Sequence, residues 1–217
     1  MPDADLSLAV PAVFFGSVGT AGQRCTSTRR LFLHRAIAPE FLSRLQTLYA
    51  SLKPGDPLDA RTLLGPLHTR AALSIYDGAI AELRAAGADI LVGGGRYDVA
   101  EDLPHPLAGG NFVRPTIAVP KSTTITAPSP SVDSRLWATE RFAPVLCAAV
   151  FDELEEAITW NNAVPQGLSS SLWTRDLRNV GRWIGPAGSD AGIVNVSVVA
   201  FLPFGLSCVR ACVCCVC

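Results

Sequence analysis

Cys25 lies in a loop whose composition suits a nucleophilic thiol. Residues 19–30 read Gly-Thr-Ala-Gly-Gln-Arg-Cys-Thr-Ser-Thr-Arg-Arg. The attacking form of a cysteine is the thiolate, which nearby positive charge favours. Arg24, Arg29 and Arg30 supply that charge, and the two glycines of the loop let the backbone turn tightly and expose the sulfur. From these residues alone, a buried structural cysteine beside surface arginines is the alternative interpretation.

The composition favours a globular chain that packs against a partner. The chain has 217 residues, of which 49% are hydrophobic, enough for one large domain or a domain with an appendage. Charged residues make up 17%, below the usual quarter, so we expect faces that contact another domain or subunit. The net charge is -1, with no basic run, and a nucleic-acid partner is therefore not predicted.

Strands alternate with helices along the chain, which predicts an α/β fold with a mostly parallel sheet and flanking helices. The spacing of apolar residues predicts helices over 5–18, 39–52, 68–86, 153–161 and 176–184. Strands are predicted over 30–34, 90–92, 112–119, 145–151, 168–174 and 192–199. Asp5 is a candidate N-cap, Pro11 should kink the first helix or mark its first turn, and residues 121–137 are predicted to form a mobile loop.

The last residues form an apolar, cysteine-rich tail. Five of the seven cysteines are Cys208, Cys212, Cys214, Cys215 and Cys217. Such density suits a soft-metal site, a palmitoylated patch or disulfides, but no pair of Cys-x-x-Cys motifs or nearby histidine supports a metal site. Pro203 and Arg210 interrupt the run, which argues against a membrane span. We expect residues 197–217 to lie outside the fold, as sequence foreign to it.

Seven motifs in order carry a resemblance to a known family. They are Gly-Gln-Arg-Cys-Thr at 22–26, Leu-Gly-Pro-Leu-His-Thr at 64–69, Phe-Val-Arg-Pro-Thr-Ile at 112–117, Glu-Arg-Phe-Ala-Pro at 140–144, Trp-Asn-Asn at 160–162, Gln-Gly-Leu-Ser-Ser-Ser at 166–171 and Gly-Ser-Asp-Ala-Gly-Ile-Val-Asn-Val at 188–196. Together they resemble the aldehyde dehydrogenase superfamily from about residue 3 to residue 196. The arginine before the cysteine is similar to the antiquitin-like branch, the alpha-aminoadipic semialdehyde dehydrogenases.

The resemblance implies NAD-dependent oxidation of an aldehyde to a carboxylate. Cys25 matches the family's nucleophile, which forms a thiohemiacetal and then a thioester. Arg24 is implied to bind a substrate carboxylate, since a guanidinium can hold one through two hydrogen bonds, although it could instead only anchor a turn. Glu140 is implied to accept hydrogen bonds from the nicotinamide ribose, with Phe142 packing near the ring. No metal site is implied.

The resemblance also implies an incomplete catalytic domain. In the family, the general-base glutamate, the oxyanion asparagine and the phosphate-binding segment precede this region, and a substrate loop follows it. We therefore expect residues 1–196 to be a catalytic-domain fragment that lacks most of the NAD site and is inactive alone. A thiol esterase that needs no NAD, or a non-enzymatic regulatory chain that joins oligomers, are the alternatives.

The expected partners are a small-molecule aldehyde and either further copies of this chain or a full-length enzyme. No nucleic acid or membrane is expected among them. The first five residues lack the positive charge of a secretory signal. We expect a cytoplasmic location, with mitochondria as the alternative.

Overall fold

The computed structural model describes residues 1–97, 107–120 and 137–197. All but the last residue of the predicted loop over 121–137 lies outside the described residues. The same holds for all but the first residue of the predicted tail over 197–217.

The five predicted helices are all present. They are α1 (Leu6–Val18), α2 (Ala38–Ala50), α3 (Arg70–Ala85), α4 (Leu154–Asn162) and α5 (Leu177–Ile184). Asp5 caps α1 as predicted, because its side chain accepts a hydrogen bond from the backbone N–H of Ser7 at 3.0 Å. Pro11 lies inside α1, beyond its first turn. Thr69 caps α3 in the same way as Asp5 caps α1.

The strands form a mixed four-stranded sheet and a separate parallel pair. The strands are β1 (Arg30–His34), β2 (Asp89–Val92), β3 (Thr116–Val119), β4 (Val145–Phe151), β5 (Ser169–Leu172) and β6 (Ile193–Val196). The larger sheet has the order β1-β4-β3-β2, with β1 and β3 parallel to β4. β2 is an antiparallel edge strand, and β5 pairs with β6 alone. The prediction of a mostly parallel α/β sheet is confirmed.

β4 is the centre of the core, because helices cover both of its faces. Leu146 and Ala148 pack in the cluster with α1 and α2, while Cys147 packs in the cluster with α3. Further along the strand, Phe151 packs with Trp160 of α4 and Trp183 of α5. A strand buried on both faces reads as a continuous apolar run, as this one does.

The register of β1 and β4 decides where the segments before them meet. The two strands are parallel, and Arg30 lies opposite Cys147. The loop that precedes β1 and the segment that precedes β4 therefore enter the sheet side by side, at the N-terminal ends of the two strands. The first carries Cys25 and the second carries Glu140 and Phe142.

None of the helices in the described ranges combines the length and apolarity that a membrane crossing requires.

Candidate active site

A left-handed turn redirects the chain between α1 and Cys25. Thr20, Ala21 and Gly22 have φ angles of 53°, 52° and 67°. For a residue other than glycine this conformation costs about 1–2 kcal/mol. Such strain persists only where surrounding contacts impose it, and it is concentrated at functional sites.

The turn is held in place by contact with the segment before β4. A Cβ atom built on Gly22 would lie 2.5 Å from the carbonyl carbon and oxygen of Ala143 and 2.7 Å from the nitrogen of Pro144. Only a residue without a side chain allows the two backbones to approach this closely.

Cys25 lies at the tip of a second, tight turn. The backbone N–H of Ser27 donates to the carbonyl oxygen of Arg24 at 3.0 Å, and the N–H of Arg24 donates to Oγ of Ser27 at 3.1 Å. Ser27 is buried, whereas Cys25 is exposed. The turn therefore presents the thiol to solvent on a fixed backbone.

Arg29 connects the Cys25 loop to the segment before β4. Its guanidinium donates from Nη2 to the carbonyl oxygen of Arg24 at 2.9 Å and from Nη1 to that of Gly22 at 3.1 Å. The same group pairs with Glu140, with Nε 3.3 Å and Nη2 3.2 Å from Oε1. Arg29 is 8% exposed, so these bonds form largely out of water.

Phe142 completes this arrangement. Its ring lies under the guanidinium of Arg29, with 4.8 Å between Cζ and the ring centroid, a cation–π contact. The residue has a φ of 44° and remains 40% exposed. Arg29 thus brings the predicted cofactor residues, Glu140 and Phe142, to the loop that carries Cys25.

Arg24 leans back on the end of α1. Its Nη2 donates to the carbonyl oxygen of Phe15 at 3.3 Å, and its guanidinium lies 5.2 Å from the ring centroid of Phe15. A Cβ atom on Gly19 would lie 2.5 Å from Nη2, so glycine at that position leaves room for the side chain. The guanidinium therefore contacts the end of α1, and its binding of a substrate carboxylate stays a prediction.

Arg30 has a different environment from Arg29, although the two are adjacent. Its Nη1 donates to the carbonyl oxygen of Trp160 at 2.7 Å and its Nη2 to that of Asn161 at 3.0 Å. These carbonyls lie at the C-terminal end of α4, where a cation is stabilised by the helix dipole. Arg30 therefore fixes α4 against β1.

Gln23 connects the loop to the motif at 64–69. Its Oε1 accepts from the backbone N–H of His68 at 2.9 Å and lies 2.7 Å from Nδ1 of the same histidine. Sequence reasoning identified neither this contact nor the Arg29–Glu140 pair. The only signal for the pair was that Arg29 lies in the arginine-rich loop of Cys25 and that Glu140, of opposite charge, lies in a motif of the resemblance.

Among the described residues, no three His, Cys, Asp or Glu side chains are grouped closely enough to hold a metal ion. The groups that could contact a cofactor are the carboxylate of Glu140 and the exposed ring of Phe142. Glu140 has a side chain that is 22% exposed.

We expect Cys25 to be alkylated more than about tenfold faster than Cys147 near neutral pH. Cys147 lies on β4, is 6% exposed, and burial raises the pKa of its thiol to about 11, so that little thiolate is present. The measurement is peptide-resolved mass spectrometry after brief exposure to iodoacetamide.

In denaturant the difference between Cys25 and Cys147 should vanish, which is the control for intrinsic reactivity of the two peptides. Faster labelling of Cys147 in the folded chain would contradict the assignment of Cys25 as the reactive thiol.

The chain is similar to aldehyde dehydrogenases in both sequence and structure. A model of the aldehyde dehydrogenase family matches residues 1–203. The chain is 46% identical over 196 residues to an alpha-aminoadipic semialdehyde dehydrogenase of Mus musculus, a match that covers 90% of this chain and 33% of the relative. It is 45% identical over 198 residues to aldehyde dehydrogenase family 7 member A1 of Pisum sativum, covering 91% and 35%.

Among solved structures, the betaine aldehyde dehydrogenase of Staphylococcus aureus in complex with NAD+ superposes with a TM-score of 0.79 at 28% identity. That match covers 93% of this chain and 36% of the other. The chain therefore spans about a third of the length of the relatives that it matches.

Proposed function

Because the chain belongs to the aldehyde dehydrogenase family, we propose that Cys25 is the nucleophile of an NAD-dependent oxidation of an aldehyde to a carboxylate. The observation that carries the proposal is the connection of the Cys25 loop to Glu140 and Phe142 through Arg29. Arg29 thereby joins the Cys25 loop to two candidate cofactor residues that are far from it in the sequence.

In the proposed reaction the sulfur of Cys25 forms a bond to the substrate carbon, and that bond is broken by hydrolysis at the end. The thiolate adds to the carbonyl carbon of the aldehyde and forms a thiohemiacetal anion, whose oxygen carries the negative charge. When bound, NAD would supply the acceptor for the hydride on that carbon; the oxyanion would then re-form the C=O bond, and Cys25 would hold the acyl group as a thioester. Water then attacks the thioester, releases the carboxylate and returns the thiol of Cys25.

Glu140 and Phe142 fit the nicotinamide end of the cofactor. Among the described residues, the carboxylate of Glu140 is bonded through Oε1 alone, and it is partly open to solvent. A carboxylate is acceptor-only and suits the two hydroxyl groups of a ribose. The exposed ring of Phe142 offers an apolar surface beside it. These two residues cannot hold the rest of a dinucleotide, so we propose that the remainder of the enzyme supplies those contacts.

For the substrate we propose an aldehyde that carries a carboxylate, such as alpha-aminoadipic semialdehyde. The relative from Mus musculus is named for that compound. Arg24 directly precedes the nucleophile in the sequence, and although its guanidinium contacts the end of α1 here, charge-assisted bonds of a guanidinium to a carboxylate are among the stronger ones in proteins.

We also propose that the 217 residues alone do not turn over, because they correspond to only 33% of such a relative. Further copies of this chain or a full-length enzyme in the cytoplasm would be its partners. Co-purification with a tagged full-length relative tests the regulatory alternative, in which the chain joins oligomers without catalysing the reaction.

Acylation by an activated ester tests the role of Cys25 without requiring NAD. p-Nitrophenyl acetate should acylate Cys25 in the wild-type chain and in the Cys147→Ser variant, and the Cys25→Ser variant should lose this adduct. Pre-incubation with an aldehyde that carries a carboxylate should slow the acylation by about threefold or more, because the thiohemiacetal consumes the thiol.

Sustained hydrolysis of the ester without NAD would favour the thiol esterase instead. Absence of any adduct on Cys25 in the folded chain, with the adduct forming at Cys147, would overturn the proposal.

A further inference from the structure

The contacts of Arg29 lie at a junction that the proposed chemistry leaves unexplained. A guanidinium has five N–H groups. Here Nε, Nη1 and Nη2 face three different parts of the site, and Nη2 is shared between the carbonyl of Arg24 and the carboxylate of Glu140. A group that only filled space or balanced one charge would not need this number of directed partners.

We propose that Arg29 is a positioning residue that couples the carboxylate of Glu140 to the orientation of the nucleophile loop. The inference rests on the proposed function, which gives Cys25 and Glu140 their roles. In it, Arg29 aligns the backbone of Cys25 with the end of the site that would bind the nicotinamide ribose. Arg29 itself touches no reacting atom.

The first half of the coupling acts through one peptide bond. The carbonyl oxygen of Arg24, which accepts from Nη2 of Arg29 at 2.9 Å, belongs to the peptide that joins Arg24 to Cys25. A peptide unit is planar, so holding its oxygen also sets the direction of the N–H of Cys25. The backbone N–H of a nucleophilic residue is one of the donors that stabilise a developing oxyanion in serine proteases. Arg29 therefore holds the peptide whose N–H corresponds, by this comparison, to an oxyanion donor.

The second half acts through Glu140 and Phe142. The guanidinium holds Oε1 of Glu140 from two nitrogens and lies 4.8 Å from the centroid of the Phe142 ring. Phe142 keeps a φ of 44°, a conformation that surrounding contacts must impose on an aromatic residue. Loss of the guanidinium would free both side chains.

Nη2 of Arg29 contacts both the carbonyl oxygen of Arg24 and the carboxylate of Glu140. A change in the strength of one of these contacts therefore changes the strength of the other. A diol that hydrogen-bonds to Glu140 withdraws part of the carboxylate charge from Arg29 and strengthens the remaining bond to Arg24. Coupling of this kind is reciprocal, so the state of the Cys25 turn also affects the affinity of Glu140 for its ligand. A lysine has a single ammonium and cannot span the same partners.

The test measures the alkylation rate of Cys25 by iodoacetamide from pH 6 to 9 in the 217-residue chain, normalised to the folded fraction. The variants are Arg29→Lys, Arg29→Gln, Glu140→Gln and the two Arg29 variants each combined with Glu140→Gln. Arg35→Gln is the control, because Arg35 forms an exposed pair with Asp152 away from the cysteine turn. Thermal unfolding of each variant reports the folded fraction.

We expect Arg29→Gln and Glu140→Gln each to change the rate by about threefold or more, and their combination to change it no further than Arg29→Gln alone. Arg29→Lys should retain the fold yet also lose the response to Glu140→Gln. Arg35→Gln should leave both rate and pH profile as in the wild type.

The proposal would be overturned if the Arg29 and Glu140 substitutions changed the alkylation rate of Cys25 by independent, multiplicative factors. It would also be overturned if Glu140→Gln changed that rate as much in the Arg29→Lys background as in the wild type. If Arg29→Gln does not fold, the comparison of Arg29→Lys with and without Glu140→Gln still decides between these outcomes. The assay needs neither NAD nor turnover. Failure of ester acylation with coupling intact would therefore refute the proposed function and leave the positioning role of Arg29 standing.

Discussion

Replacing Gly22 by alanine is expected to lower the free energy of unfolding by about 2–4 kcal/mol. The left-handed backbone alone does not exclude alanine, since Ala21 already adopts it. The decisive contact is with the backbone of Ala143 and Pro144, which cannot rotate away as a flexible side chain could. The chain must either separate the Cys25 loop from the segment before β4 or abandon the turn.

Urea unfolding followed by circular dichroism measures this loss for Gly22→Ala. The matched control is Gly78→Ala, because Gly78 lies inside α3 and a Cβ atom there would meet nothing within 4 Å. The control should be neutral or more stable by up to about 1 kcal/mol, as alanine favours a helix. Equal stability of Gly22→Ala and the wild type would show that the two segments are not in the contact described.

The second large effect is expected for Arg30→Met, which should cost about 2–4 kcal/mol of stability. Methionine can occupy much of the volume beside Phe32, so the loss comes mainly from the carbonyls of Trp160 and Asn161, which lose charged donors in a buried environment. The C-terminal end of α4 should then loosen, and hydrogen exchange of the amides at 158–162 should rise.

Arg44→Met provides the comparison, since Arg44 on α2 forms an exposed pair with Glu40 four residues earlier. Pairs of that kind contribute about 0.3–0.5 kcal/mol. If Arg30→Met costs no more than Arg44→Met, then Arg30 does not cap α4, and its charge would have to be assigned to the cysteine loop as the sequence first suggested.

The elements that hold the site were predictable because their patterns are local. The bounds of β1 and β4 agree with the sequence prediction, since a short, continuous apolar run is typical of a buried strand. Which strand pairs with which was harder to predict from the sequence. β2 joins the sheet antiparallel, and β5 and β6 pair apart from it, because periodicity identifies the type of an element but not its neighbour.

The candidate site rests on local patterns and on motifs. Cys25 was proposed from its loop and from the family motifs, and Glu140 and Phe142 from a motif alone, and the roles of all three stay predictions. The different contacts of Arg29 and Arg30 could not be predicted, since two adjacent arginines look alike in a sequence. At the start of a strand, successive side chains point to opposite faces of the sheet. Arg29 therefore pairs with Glu140, while Arg30 donates to carbonyl oxygens of α4.

The pairing of Arg29 with Glu140 joins residues that are 111 positions apart. A ribosome that adds about 5–20 residues per second needs roughly 6–20 s to travel that distance. Throughout this interval the nascent chain carries the cysteine turn without the strand and the carboxylate that later hold it. A newly made molecule therefore holds its thiol loop in a looser form than the finished one does, until β4 has been synthesised.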